Sequence, residues 1–269
     1  MECPTSQYLS GLLLAAPLFP APIRSEGMDE TTEIAVPLLF EQPYVEMTLR
    51  WMREQGITCT AAEDLSTFSV PAGQSYTSFK KRIPTDFSSA TFFFCAAAIT
   101  GSTLFLEGLD MTDTQGDREV VRMLEKMDCS WESRDGGILF LGAPLKGCTL
   151  DLNATPDALP ALAVTACYAK GETRLVNVAQ ARIKETDRIA VMASELKRLG
   201  ADIEEQEDGL IIQGSPLTGG TVEGHGDHRI VMSLAIAALG ASEPITVDTS
   251  EAVDITFPGF FEILESVRN

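Results

Sequence analysis

Segments rich in small apolar residues recur along this chain at intervals of roughly 70 to 80 residues, and a period of that length constrains the fold more than any local propensity. They begin near Ser6 (QYLSGLLLAA), Ser88 (SATFFFCAAAI), Asp157 (ALPALAVTACYA) and Asp227 (HRIVMSLAIAAL). Each opens on a polar residue of the type that caps a helix. Between them fall amphipathic segments: EQPYVEMTLRWMREQG, QGDREVVRMLEKM, KETDRIAVMASELKRLG and ITFPGFFEILESV. In the third, Ile189, Met192, Ala193, Leu196 and Leu199 form one apolar stripe at helical spacing, and Gly200 ends it as a left-handed cap.

The middle two amphipathic segments are followed by hairpin signals, Asp135-Gly136 before ILFLG and Asp208-Gly209 before LIIQG. The predicted unit is therefore strand, apolar helix, strand, amphipathic helix, strand, strand. Sheets lie outside in such a chain, and the Ala-rich helices bundle inside because only small side chains let them approach closely. The stretch from Pro71 to Pro84, with Gly73, Lys80, Lys81 and Arg82, reads as a linker, which puts a domain boundary near Thr85 and divides the chain into 1–84 and 85–269.

Acidic residues number 39 against 20 basic ones, for a net charge of −19. Such a chain repels nucleic acid and anionic membrane surfaces. No apolar run reaches membrane-spanning length. The apolar stretch from Tyr8 to Pro22 follows Glu2 and lacks a basic leader, so it does not read as a secretion signal. The six cysteines show no Cys-x-x-Cys pair, and His225 and His228 stand far from metal-finger spacing. A cytoplasmic protein with reduced thiols and no metal is expected.

Two segments carry chemistry. Arg182-Ile183-Lys184-Glu185-Thr186-Asp187-Arg188 precedes an amphipathic helix, and read alone it is a helix start with acids suited to the dipole. Arg182 and Lys184, however, put cations where the helix favours anions, which makes sense beside an anionic ligand. Gly226-Asp227-His228-Arg229 opens the last apolar helix, and read alone it is a cap followed by a surface arginine. Asp86, Asp157 and Asp227 occupy the same register in the repeat, so three helix N-termini converge on one face that attracts phosphate or carboxylate. Thr5-Ser6-Gln7 opens the first helix, where capping is sufficient explanation.

Taken together, Thr-Ser-Gln-Tyr-Leu-Ser, Pro-Tyr-Val-Glu-Met-Thr-Leu, Asp86 ahead of Ser-Ser-Ala, Gln-Gly-Asp, Pro156-Asp157, Lys-Glu-Thr-Asp-Arg, Asp-His-Arg and Thr-Phe-Pro resemble, in that order, the C-terminal part of the EPSP synthases. That resemblance implies an inside-out, barrel-like α/β fold of βαβαββ units. Residues 1–84 would hold the last unit of a first domain plus a linker. Residues 85–269 would hold a second domain of three units, the last incomplete, with the N-terminal part of the fold missing. It implies transfer of the enolpyruvyl group of phosphoenolpyruvate to the 5-hydroxyl of shikimate 3-phosphate, without a cofactor. This reaction belongs to the shikimate pathway of aromatic amino acid biosynthesis.

By the same resemblance, Asp157 handles the proton of the hydroxyl and Glu185 the proton at the methylene carbon. Arg188 and Arg229 clamp the phosphoenolpyruvate carboxylate. Lys184 and His228 face the reacting oxygens. Thr5, Ser6, Gln7, Tyr44 and Gln180 hold shikimate 3-phosphate together with Asp157 and Lys184. Glu41 stands where the family has a phosphate-contacting serine, and a carboxylate there repels phosphate. Ile255 stands where many members have lysine. The family's N-terminal cations are not in this sequence, so a missing N-terminal fragment is an expected partner and the chain alone is expected to be inactive. The rival readings are an anion-binding remnant or split-enzyme fragment without catalysis, and a UDP-N-acetylglucosamine enolpyruvyl transferase. The latter lacks the Lys-Glu-Thr-Asp-Arg signature.

Overall fold

A computed structural model describes residues 1–20 and 31–267. Pro22, the end of the apolar stretch read from Tyr8, lies outside them. The chain divides into two compact units, Met1–Ile83 with Thr114–Gly116, and Pro84–Asp113 with Asp117–Asn269.

The first unit contains β1 (Glu2–Cys3), α1 (Ser6–Ala15), β2 (Thr31–Ala35), β3 (Leu38–Leu39), α2 (Gln42–Glu54), β4 (Thr60–Ala61) and β5 (Thr67–Pro71). Helix α1 starts at the expected residue, with Thr5 as its cap. Strand β5 pairs antiparallel with β2 and β4 in the order β2-β5-β4, and β1 pairs parallel with β3. The core is one-sided. Leu9 and Leu13 of α1 pack with Val45 and Met52 of α2 and with Phe68 and Val70 of β5, while Tyr8 and Leu14 remain exposed.

The second unit opens with α3 (Phe87–Thr100), β6 (Thr103–Glu107), α4 (Glu119–Lys126), β7 (Ser130–Arg134) and β8 (Gly137–Leu141). It continues with β9 (Thr149–Asp151), α5 (Leu159–Cys167), β10 (Glu172–Val176), α6 (Arg188–Arg198), β11 (Asp202–Gln206) and β12 (Gly209–Gln213). The chain ends through β13 (Gly220–Val222), α7 (His228–Ala237), β14 (Ile245–Val247) and α8 (Phe260–Ser266). Three sheets result, β6-β8-β7, β11-β12-β10-β9 and β13-β14. Strand β9 runs parallel to β10, and β12 runs antiparallel to both β10 and β11. The order seen in β2-β5-β4 thus recurs in β6-β8-β7 and β10-β12-β11.

Helices α3, α5 and α7 form the middle of this unit, and every residue of α5 is buried. An all-round apolar helix can fold only where neighbours cover all its faces, and the small residues Ala161, Ala163 and Ala166 permit that approach. The predicted stripe of α6 is buried at all five positions, and Gly200 follows the helix at φ 88°. Among the described residues no helix is long and apolar enough to cross a membrane. All six cysteines are free thiols.

Two sequence expectations shift. The Asp135-Gly136 hairpin forms as expected, with Arg134 opposite Gly137. In the other hairpin Gln206 pairs with Gly209, so the turn residues are Glu207 and Asp208, and Gly209 opens the strand. Gly209 answers to a different demand: a Cβ there would lie 1.9 Å from the Leu175 carbonyl oxygen, and one at Gly137 would lie 2.2 Å from that of Leu106. Both glycines allow close approach of neighbouring strands. The second shift concerns Asp157, which is not the capping residue of its helix. It sits within a 3-10 turn, Pro156–Ala158, and α5 begins beyond it without a side-chain cap. Asp86 and Asp227 do cap α3 and α7.

Candidate active site

Arg188 organises the charged cluster of the second unit. It is the first residue of α6, a position where the helix dipole disfavours a cation, and yet it is only 1% exposed. Three carboxylates make that possible. Its Nε donates to Asp227 Oδ2 at 2.8 Å and its Nη2 to Asp227 Oδ1 at 3.3 Å, a two-pronged pairing that suits the flat guanidinium. Its Nη1 reaches Asp157 Oδ1 at 2.8 Å, and Nη2 also holds the Glu185 carboxylate.

Asp227 comes from the start of α7 and is fully buried. It caps that helix by accepting from the Arg229 N–H at 2.9 Å, and it accepts from the Thr186 hydroxyl at 3.0 Å. Asp157 takes two further cations: Arg229 Nη2 lies 3.3 Å from its Oδ2 and Lys184 Nζ 3.8 Å from its Oδ1. This explains why Asp157 abandons the capping role. A carboxylate shared by three cations gains more than one accepting a backbone N–H. His228, mostly buried, places Nδ1 3.9 Å from Asp227 Oδ1.

These surroundings set the protonation states. Burial alone would raise the Asp157 carboxyl, but Arg229, Arg188 and Lys184 outweigh it and hold it below the ordinary aspartate value. Asp227 is likewise penalised by burial and held low by Arg188, with the Arg229 and Thr186 hydrogen bonds adding to the effect. For His228, burial and then Arg229 lower its value and favour the neutral ring. Two acids of unlike setting result: Asp157 is enclosed by cations, whereas the Glu185 side chain is half in solvent.

The structure brings Asp157, Lys184, Glu185, Arg188, His228 and Arg229 into this one cluster. Gln180 lies in the 3-10 turn Ala179–Ile183 and is buried, with its amide Nε2 on the Asn153 carbonyl at 3.0 Å. Arg182 is a correction. Its guanidinium binds Asp187, Glu205 and the backbone carbonyls of Gln206 and Glu207, so it braces the β11–β12 turn against the start of α6. Its cation is spent on protein partners. Ile255 is exposed at the end of a 3-10 turn.

Thr5, Ser6, Gln7 and Tyr44 belong to the first unit. There Glu41, only 1% exposed and at φ 60°, takes up the donors at the start of α1. Its Oε2 accepts from the Ser6 N–H at 3.0 Å, the Ser6 hydroxyl at 2.7 Å and the Thr5 hydroxyl at 3.4 Å. The carboxylate expected to repel a phosphate is held by groups expected to bind one. Gln7 donates its backbone N–H to Thr5 Oγ1 at 3.5 Å, and Tyr44 stands in the first turn of α2. Asp227 and Thr186 were not read as site residues from the sequence. Asp227 was visible only as a cap, because a bond to a residue 39 positions away leaves no local spacing.

The model of the family described as EPSP synthase (3-phosphoshikimate 1-carboxyvinyltransferase) matches residues 3–264. The chain belongs to the EPSP synthase family. It is 50% identical over 266 residues to the 3-phosphoshikimate 1-carboxyvinyltransferase of Ruminiclostridium cellulolyticum, covering 99% of this chain and 61% of that protein. It is 51% identical over 260 residues to that of Acetivibrio thermocellus, covering 97% of this chain and 59% of the relative. A solved EPSP synthase from Acinetobacter baumannii superposes with a TM-score of 0.79 at 31% identity, covering 99% of this chain and 61% of that one. The chain therefore spans about three-fifths of the length of the EPSP synthases it matches. Its mixed α/β fold is the fold of those structures.

Proposed function

We propose that this chain supplies the Asp157–Arg188–Arg229 side of an enolpyruvyl transferase site, one that joins phosphoenolpyruvate to the 5-hydroxyl of shikimate 3-phosphate in the cytoplasm. The observation that carries the reading is that two guanidinium groups, from α6 and α7, converge on the single carboxylate of Asp157 at 2.8 and 3.3 Å. Asp157 stands in for a ligand carboxylate. When phosphoenolpyruvate takes Arg188 and Arg229, Asp157 loses part of the positive field that makes it a weak base. It can then accept the hydroxyl proton as the oxygen attacks. Glu185, reached by solvent, gives a proton to the methylene carbon during addition and takes one back as phosphate leaves. Lys184 and His228 steady charge on the reacting oxygens. In the second unit Gln180 is a shikimate 3-phosphate contact in this scheme; Thr5, Ser6, Gln7 and Tyr44 are the contacts proposed for the first unit, where Glu41 would have to release the Thr5 and Ser6 donors. No cofactor is needed.

The same reading makes the fold an inside-out, barrel-like set of βαβαββ units with a domain boundary near Thr85. The recurrent strand order of β2-β5-β4, β6-β8-β7 and β10-β12-β11 supports it. Catalysis in such a fold needs charge from both domains around the substrates. Phosphate release from phosphoenolpyruvate and shikimate 3-phosphate tests this. It is measured with the chain alone and with the remaining two-fifths of the Acetivibrio thermocellus relative added as a separate polypeptide. Expected is no release by the chain alone, release in the mixture, and a loss of about a hundredfold or more in Glu185→Gln or Arg229→Ala. Ready release by the chain alone would refute the need for both parts, and undiminished release by either variant would remove that residue from the mechanism.

A further inference from the structure

Helix α6 grips the segment before α7 at two places two turns apart. Arg188 holds Asp227, and seven residues along the same face Glu195 holds the loop from Glu223 to Gly226. Glu195 is 1% exposed, and a buried carboxylate is costly unless its oxygens are satisfied. They are. Oε2 accepts the Glu223 N–H at 3.0 Å and Arg198 Nη1 at 3.1 Å, while Oε1 lies 3.2 Å from His225 Nε2. Arg198 also pairs with the Glu223 carboxylate at 2.9 Å.

The loop so held is under constraint. His225 and Gly226 take left-handed conformations at φ 54° and 68°. A non-glycine residue is strained there and keeps that conformation only when its surroundings outweigh the strain. A side chain at Gly224 would run into Val231 and Thr249; the Gly224 N–H donates to Asp248 Oδ1 at 2.7 Å, and the Gly226 N–H reaches Thr249 Oγ1 at 3.2 Å. The next three residues are Asp227, His228 and Arg229.

We infer that Glu195 is a positioning residue for the paired arginines. By fixing the loop Glu223–Gly226 to α6, it sets Asp227 and Arg229 in place before a ligand arrives, and through Asp227 it sets the guanidinium plane of Arg188. The ligand in this statement is the phosphoenolpyruvate of the proposed function; the positioning itself does not depend on that reading.

His225 and His228 are the only histidines in the chain, so its imidazole NMR spectrum has two ring systems, one at Glu195 and one at the start of α7. The experiment records those signals and titrates phosphoenolpyruvate into the full chain for wild type, Glu195→Ala, Glu195→Gln and His225→Ala. Glu195→Ala is expected to move the His228 signals as well as those of His225 and to weaken phosphoenolpyruvate about tenfold. Glu195→Gln, whose amide oxygen still accepts from the Glu223 N–H, should stay within about threefold of wild type. His228 signals and affinity unchanged in Glu195→Ala would overturn the inference, as would equal weakening by Glu195→Ala and Glu195→Gln. His225→Ala assigns the two sets of ring signals. Should Glu195→Ala fail to fold, Glu195→Asp, whose shorter side chain draws its oxygens back from the Glu223 N–H, decides: displaced His228 signals support the inference, and unmoved ones overturn it. If wild type does not bind phosphoenolpyruvate, the proposed function fails at this site, while the His228 signals still decide the role of Glu195.

Discussion

Helices α1 and α5 are written in nearly the same alphabet, yet they live in different surroundings. All nine residues of α5 are buried among α3, α6 and α7, whereas α1 buries Ser6, Leu9 and Leu13 and leaves Tyr8 and Leu14 exposed. The charged groups beside them differ in the same way. Next to α5, Asp157 joins a cluster in which Lys184, Arg188 and Arg229 face Asp157, Glu185 and Asp227. At the start of α1, Glu41 is held by the hydroxyls and N–H of Thr5 and Ser6. Apolar content alone therefore does not decide how tightly a helix is held; the number of elements that cover it does.

The sharpest test of that contrast is Arg188→Ala. It leaves the fully buried Asp227 without its cation and should cost about 3–5 kcal/mol in the stability of the second unit, as measured by urea unfolding. A cost under about 1 kcal/mol would mean that the cluster is not a structural feature of the unit.

Next in size is a matched pair of leucine truncations. Leu162→Ala, in the enclosed α5, should destabilise by about 2–5 kcal/mol, while Leu14→Ala, on the open side of α1, should stay within about 0.5 kcal/mol. Equal costs in thermal unfolding would erase the distinction between the two helices.

The smallest effect is in the response to acid. Asp157 and Asp227 titrate below their ordinary value in the folded protein, so the stability they confer is fully present above the unfolded value of 3.8. It is lost as the pH falls through the lower folded values. His228 is also lowered, from 6.5, so its neutral ring contributes stability that is complete above that value and declines as the pH falls through its folded one. Unfolding curves from pH 7 to pH 3 should fall gently at first and steeply at the acid end, and Asp227→Asn should flatten the acid part. An unchanged slope in that variant would show that Asp227 does not titrate low.

Much of this was readable from residue order. The apolar and amphipathic segments stand out because they recur at intervals of roughly 70 to 80 residues, while the buried stripe from Ile189 to Leu199 and the cap at Gly200 follow from spacings of about one helical turn. So do the Asp86 and Asp227 caps, whose acceptors lie two or three residues from their donors. The turn at Glu207-Asp208 lies one residue ahead of the Asp208-Gly209 pair because Gly209 serves the neighbouring strand at Leu175, and a single strand's sequence does not record its neighbour.

The sequence alone determined the elements and named most of the charged residues that meet, because helical periodicity, capping and turn chemistry act over a few neighbouring residues. Tertiary structure alone decided which charge meets which. It drew Asp157 away from a helix cap to two arginines and a lysine, spent Arg182 on the β11–β12 turn, joined Asp227 to Arg188 and set Glu41 on Ser6. Those pairings depend on distances between elements far apart in the chain. The cost of burying an unpaired charge then selects the partner that the fold brings within reach.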